Sequence, residues 1–477
     1  MSSSGARRPE ARGFGACAAL VIALASCTTT EQEARGVGAL VGGTLIDGTG
    51  APPISDAVVT FRDGRVTCAG TAADCAPPAD ASVTDVSGRW IVPGLIDGHV
   101  HYSQTGWADG RPDQAADLRA EYPYEAAMAL NRSNPERYFR SYLCSGVTAT
   151  WDVGGYPWTW DLRARAENDP WAPHVSAAGP LLSARDHWLN VPAERQFLYL
   201  ADAESVEAAA RYLVRSNTDQ IKVWYLVEEG APEAAHYQEM LRIGAGVARE
   251  SGTPLIVHAT GLWQAKDALR AGAAHLVHSV YDQEVDEEFI ELALANGASY
   301  NPTLIVSQGV GQFAERAFDE SALDLACVDP GTLEKARRTA SVPGRATDEA
   351  LARRREGGQA RYELMLRNLR TVHEAGIPVV MGTDAGNTLT LHGPSVNVEM
   401  ESMQESGMSP MDVLVAATRN AARAIGRGDD LGTVAAGKIA DLVVVEADPT
   451  ADVANLRRPS LVVRAGHVHT REELVYR

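Results

Sequence analysis

Six polar side chains stand at the ends of apolar runs, where few polar groups belong. In Val92-Pro93-Gly94-Leu95-Ile96-Asp97-Gly98-His99-Val100-His101 two imidazoles are spaced by one residue. Successive side chains of a strand point to opposite faces, so His99 and His101 project the same way and can share one metal ion. Lys222 interrupts Gln220-Ile221-Lys222-Val223-Trp224. Ile221 and Val223 then face a covering layer and Lys222 faces inward, where an ammonium is costly unless paired or neutralised. His258 closes Pro254-Leu255-Ile256-Val257-His258, and His278 closes His275-Leu276-Val277-His278. His275 points to the face opposite His278 and reads as structural. Asp384 directly follows the apolar run Val379-Val380-Met381-Gly382-Thr383. Singly, each has a plain explanation: a structural His pair, a lysine head snorkelling to a rim, an Asp turn or helix cap. Together they form a pattern that chance placement does not explain.

Eight strands must position them: Leu95–His101, Thr148–Val153, His174–Ala178, Gln220–Trp224, Leu255–His258, His275–His278, Ser299–Pro302 and Val379–Thr383. Helical stretches lie between. Asn134 is expected to cap a helix that starts with Pro135 and stops at Gly146. Other helices should stop at Gly252, Gly272, Gly297 and Gly376, since Gly adopts the left-handed conformation at low cost. Eight β/α units predict a (β/α)8 TIM-type barrel with its active site at the strands' C-terminal ends. The six residues fall at the ends of strands one, four, five, six and eight. Both chain ends instead show short strands and tight turns, as in Ala57-Val58-Val59-Thr60-Phe61 and Asp441-Leu442-Val443-Val444-Val445. They predict a small β-sandwich from residues 27–93 and 430–477 around a barrel of residues 94–429. The largest insertion, residues 304–358, is charged and contains Arg353-Arg354-Arg355. Such a run reads as a solvated helix face or, more sharply, as a lid over the barrel mouth.

The chain has 477 residues, 45% hydrophobic and 22% charged, which excludes a disordered, collagenous or coiled-coil protein. Its formal charge of −19 argues against nucleic acid as a partner, because phosphate binding needs a basic footprint. Residues 1–26 read as an export signal: Arg7, Arg8 and Arg12 precede an apolar run from Phe14 to Ala25 that is too short to span a membrane. Leu24-Ala25-Ser26-Cys27 resembles the lipobox of bacterial lipoproteins. That resemblance implies cleavage before Cys27 and lipidation of its thiol, with Thr28 after it leaning towards the outer membrane. An ordinary cut near Ala25, leaving a soluble periplasmic protein, is the plainer alternative. Cys68 and Cys75 flank a small-residue loop, and in an oxidising compartment they are compatible with a disulfide or with two buried thiols. Self-association into a homo-oligomer stays open.

The combined set resembles the metal-dependent amidohydrolase superfamily. It is similar to the branch of imidazolonepropionase-related hydrolases and prolidase-like dipeptidases. Asp430-Leu431-Gly432-Thr433-Val434-Ala435-Ala436-Gly437-Lys438-Ile439-Ala440-Asp441-Leu442-Val443 resembles that family's return into its terminal β-domain. The resemblance implies two divalent metal ions, with zinc the default for imidazole and carboxylate ligands. His99, His101 and Asp384 would hold one ion, and His258 and His278 the other. Lys222, carbamylated by CO2, would bridge both. A bridging hydroxide would attack the carbonyl of a small peptide-like or N-acyl amide, and Asp384 would pass the proton to the departing amine. Dipeptidase-like relatives carry a second His where this chain has Thr260, which weakens peptide cleavage relative to hydrolysis in general. Near the barrel mouth, His187 and Tyr225 could bind a substrate carbonyl or carboxylate, and Trp188 could wall an apolar pocket. Trp151, Trp158 and Trp160 would add to an aromatic rim. Two other classes compete. A mononuclear deaminase or cyclic-amide or imine hydrolase usually pairs the strand-five His with a nearby Glu, absent from Ala259-Thr260-Gly261-Leu262. An inactive envelope-binding lipoprotein would have no need of the whole ligand set.

Overall fold

The computed structural model describes residues 36–109, 116–186 and 195–476. The expected export signal, Cys27, His187 and Trp188 lie outside the described residues. The described residues belong to one compact unit.

Among the described residues five strands lie before the first histidine motif: β1 (Gly38–Leu45), β2 (Ile54–Arg62), β3 (Arg65–Thr71), β4 (Ser82–Asp85) and β5 (Trp90–Pro93). The central strands are β6 (Leu95–Val100), β7 (Val147–Asp152), β8 (His174–Ala177), β9 (Leu181–Ser183), β10 (Phe197–Tyr199), β11 (Ile221–Trp224), β12 (Leu255–His258), β13 (His275–Val277) and β14 (Ser299–Asn301). Three follow near the C-terminus: β15 (Leu442–Val445), β16 (Leu461–Arg464) and β17 (His467–Thr470).

Both chain ends contribute to one eight-stranded sheet, ordered β17-β16-β15-β5-β1-β2-β3 with β4 against β1. β5 joins the two ends, pairing antiparallel with β15 and parallel with β1. Where a sandwich is expected, the described strands therefore hydrogen-bond into one continuous sheet. Leu40, Val59, Phe61, Ile91, Leu442 and Val444 are packed together in its core.

The central strands are parallel. β6-β7-β8 form one sheet, and β10-β9-β11-β12-β13-β14 form another. The expected eighth strand is an extended run rather than a regular ladder. Val379 bridges Tyr300, and Ala385 bridges Val100, so this run lies between β14 and β6. Its close approach requires glycine: a Cβ on Gly382 would stand 2.4 Å from the Asn301 amide nitrogen and 2.8 Å from the His99 backbone nitrogen. Ile221, Val223, Leu255 and Val257 are fully buried in the cluster shared with the flanking helices, as continuous apolar strands require.

Helix boundaries follow local chemistry. Asp202, Asp286, Thr347 and Ser409 accept backbone N–H groups at helix starts. Gly252, Gly272 and Gly297 end helices in the left-handed conformation. Asn134 behaves differently from expectation. It terminates the helix Tyr124–Ser133, its N–H donating to the Leu130 carbonyl, while Pro135 precedes Glu136–Cys144 without a side-chain cap. Among the described residues no helix is long and apolar enough to cross a membrane.

Among the described residues two disulfides join Cys68 to Cys75 and Cys144 to Cys327. The second escapes sequence analysis because its partners are 183 residues apart. It ties the helix Glu136–Cys144 to the insertion and sits in a buried cluster with Leu143, Val462 and Leu474. Arg471 pairs with Asp324, and the Tyr476 N–H donates to the Ala326 carbonyl, so the C-terminus holds the same edge. A cross-link closing so long a loop contributes about 2–5 kcal/mol. Cys144→Ser/Cys327→Ser should therefore lower the free energy of denaturant unfolding by about that amount. An unfolding midpoint equal to the parent's would show that the bridge adds nothing.

Candidate metal centre

The five strand ends converge. β6 ends at Val100, and the flanking His99 and His101 enter the same space, their ring centroids 5.3 Å apart. β11 supplies Lys222, only 2% exposed, with the two apolar neighbours turned away into the helix layer. β12 and β13 bring His258 and His278 together, with centroids 4.2 Å apart, and His278 lies 4.9 Å from His99. Asp384 arrives from the run beside β6. Its Oδ1 is 3.4 Å from His99 Nε2 and 3.0 Å from His101 Nε2, and its Oδ2 is 3.8 Å from His278 Nδ1. Ligand atoms of His99, His101 and Asp384 all lie within 4.8 Å of one another, a group able to hold a metal ion.

Electrostatics favour the neutral forms. Burial, with Lys222 nearby, holds the His99 and His258 imidazoles well below the ordinary histidine range. Burial followed by the His258 charge does the same for His278. Burial lowers the Lys222 amine to about 7, opposed by the Asp384 carboxylate. Neutral imidazole is the metal-binding form. Both ring nitrogens of His99 and the Asp384 Oδ1 are buried without a hydrogen-bond partner. Unpaired buried polar atoms are costly, and a cation between His99 Nε2 and Asp384 Oδ1, 3.4 Å apart, would satisfy those two.

Neighbouring groups fix these side chains. His101 Nδ1 donates to the Gly154 carbonyl at 2.6 Å, which leaves Nε2 as the free lone pair facing Asp384. His278 Nδ1 lies 2.8 Å from the Thr303 hydroxyl. His278, Thr303 and Asp384 all have left-handed backbones, with φ of 76°, 43° and 60°. For a β-branched residue such as Thr303 this conformation is a steric outlier. Asp97 is fully buried, and its carboxylate accepts the Thr383 N–H at 2.9 Å, the Thr383 hydroxyl at 2.6 Å and the His99 N–H at 3.3 Å. Burial raises Asp97 to about 7 against those three bonds. It thereby joins the two segments that carry His99 and Asp384. Sequence analysis passed over Asp97 although the signal was present: it shares the alternate-residue face of His99 and His101. Thr303 leaves no such trace, since its role depends on a turn conformation.

A cleft of about 1240 Å³ opens over this centre. His101, Lys222, His258, His278 and Asp384 line its floor, and Leu181, Phe197 and Trp224 line one wall. Thr260 also lines it. The helix Val306–Glu315 of the insertion and the helix Asp348–Glu374, from Leu351 to Met365, supply the other wall. Tyr225 lies elsewhere. Alternation turns it away from the cleft that Trp224 lines, and its hydroxyl donates to Asp267 at 2.5 Å. Its expected substrate contact is corrected to a structural role. The expected aromatic rim is corrected as well. Trp151 packs edge-on against His275, Trp158 is in the main core, and Trp160 packs edge-on against Tyr212. None of the three lines the cleft; Phe197, Trp224, Tyr281 and Tyr362 do. His275 has its Nδ1 2.6 Å from the Ser299 hydroxyl, in keeping with a structural histidine.

The amidohydrolase family model matches residues 90–468. An imidazolonepropionase of Xanthomonas campestris is 25% identical over 449 residues, covering 88% of this chain and 93% of that one. An ochratoxinase of Aspergillus niger is 25% identical over 465 residues, covering 91% of this chain and 86% of that one. The solved structure of an Xaa-Pro dipeptidase with bound methionine superposes with a TM-score of 0.66 at 21% identity, covering 91% of this chain and 100% of that chain. Likeness at that identity speaks to the fold alone.

Proposed function

Because the chain belongs to the amidohydrolase family, whose fold is of the TIM-barrel type and whose members hydrolyse carbon–nitrogen bonds, we propose that it cleaves an amide-type bond of a small peptide-like or N-acyl compound. In this reading the central strands form a closed (β/α)8 barrel holding two divalent ions at their C-terminal ends. The observation that carries it is the meeting of His99, His101, Lys222, His258, His278 and Asp384, from five separate strand ends, at the floor of one cleft.

The donor set fits the ions. His99, His101 and Asp384 would hold one, His258 and His278 the other, and carbamylated Lys222 would link them. The neutral amine is the form that adds CO2, and burial drives Lys222 towards it. Counting the carbamate, the first ion would have four imidazole and carboxylate donors and the second three, a donor type and number that suit zinc. When bound, such ions lower the pKa of a water and polarise a carbonyl. The chain's own groups do the rest. The Asp384 carboxylate takes the proton of the attacking water and returns it to the leaving nitrogen, which departs poorly without one. Leu181, Phe197 and Trp224 hold the apolar body of the substrate and exclude water.

The likeness to imidazolonepropionase favours a second reading, a cyclic-amide hydrolase using one ion at His99, His101 and Asp384. Metal analysis alongside a screen of dipeptides, N-acyl amino acids, carbamates and lactones separates the two. Two ions per chain with amine release supports the first. One ion with full activity supports the second, and an intact ligand set with no turnover of any compound would leave a binding protein.

The basic and apolar start, with Cys27, supports export to the cell envelope and a lipid anchor facing the periplasm. Expressed with its leader, the protein should partition into detergent, and Cys27→Ser should move it to the aqueous phase. Identical partitioning of the two would remove the anchor.

A further inference from the structure

The cleft is larger than a dipeptide needs, and its charges are unevenly paired. At the floor lie Lys222 and Asp384. On the insertion wall, Arg355 pairs with Glu315 at 2.7 Å. Arg354 and Arg361 also line the cleft, and neither has an ion-pair partner among the described residues. In a chain with 62 acidic residues against 43 Lys and Arg, two guanidiniums without carboxylates beside one cleft call for an anion. They are seven residues apart on the helix Asp348–Glu374, so they share a face about 10 Å apart along its axis. Arg361 is held in place: its guanidinium stacks over the Tyr281 ring at 4.5 Å. Tyr281 belongs to the loop that follows His278, and its N–H donates to the Thr260 carbonyl, so the backbone that carries this ring is tied to the segment after β12. Between rim and floor the surfaces are apolar: Val306, Val310, Leu351 and Met365 on one side, Phe197 and Trp224 on the other. Val310 is 51% exposed, an apolar side chain left open towards the cleft.

We infer that the substrate is an elongated amide carrying a carboxylate at the end remote from the bond cleaved, with Arg354 and Arg361 as the anion anchor and the apolar walls holding the chain between. This rests on the amide-hydrolase reading and adds the substrate's charge and reach. The guanidiniums are solvent-facing, so they act as selectors among substrates rather than as groups of the reaction. Their planar forks suit a carboxylate, and the stack on Tyr281 reduces the freedom Arg361 would lose on binding.

The test uses the full-length protein and the mono-anilides of succinic, adipic and suberic acids, each beside its methyl ester. Binding is read by calorimetric titration, and aniline release separately. Hydrolysis breaks the C–N bond, placing the hydroxyl of water on the acyl carbon and its proton on the nitrogen. Expected are tightest binding by the suberic compound, a preference for acid over ester of about tenfold at low salt, and loss of that preference as salt rises. Arg354→Gln and Arg361→Gln should each weaken the acid by about threefold and leave the ester unchanged, and the double variant should bind both alike. Arg353→Gln, which lies off the cleft and pairs with Glu349, should change nothing. Equal binding of acid and ester, no binding of the suberic acid, tightest binding of the succinic compound, or a preference that survives in the double variant would each overturn the anchor. Acid-selective binding without aniline release would uphold the anchor and count against the amide-hydrolase reading.

Discussion

Lys222→Ala should purify with fewer ions per chain than the parent and lose hydrolysis by on the order of 10³-fold, with partial recovery in acetate or propionate. The argument begins with burial. Lys222 is 2% exposed on β11, between two residues that face the helix layer, and among the described residues it accompanies four imidazoles and one carboxylate. A cationic amine there would repel a metal ion, whereas its CO2 adduct is an anionic carboxylate that attracts one. Alanine removes that carboxylate and leaves room for a small acid to replace it. A structural lysine would behave otherwise: metal content would hold, stability would change, and added carboxylates would have no effect. Unchanged metal content in the variant refutes the bridge.

Asp384→Asn should lower kcat by about 10²- to 10⁴-fold with a smaller change in KM. Asparagine keeps the shape of the side chain and the left-handed backbone that Asp384 adopts at φ 60°, since Asn tolerates this conformation. It cannot accept and return a proton as a carboxylate does. The fold should survive, because the links to the neighbouring strand run through Asp97 and Thr383 rather than through the Asp384 side chain. Turnover equal to the parent's would remove Asp384 from proton transfer.

The histidines, the lysine and the aspartate were legible because periodicity marks them. A polar residue closing a buried strand contradicts its own apolar run, and two histidines at alternate positions share a face. The strands that carry them were legible for the same reason. The run Val379–Thr383 reads as an ordinary strand; glycines at 98 and 382 allow its close approach to its neighbours, and it forms isolated bridges in place of a ladder. Tyr225 and the tryptophans at 151, 158 and 160 were misplaced because proximity in sequence to a strand end does not settle which way a large ring turns; core packing does. The Cys144–Cys327 bridge and the Thr303–His278 contact depend on tertiary approach over 183 and 25 residues, and no local pattern announces either. The insertion announced its charge but not its division into Arg353 and Arg355, each paired with a glutamate, and Arg354, which meets the cleft without one.

A crystal of the purified protein, measured at the zinc absorption edge, tests the central claim most directly. Two anomalous peaks should lie over the cleft floor, one among His99, His101 and Asp384 and one between His258 and His278, with density continuing from Lys222 Nζ to both. No peak at that floor, or a single peak beside an unextended Lys222, would contradict the two-ion account.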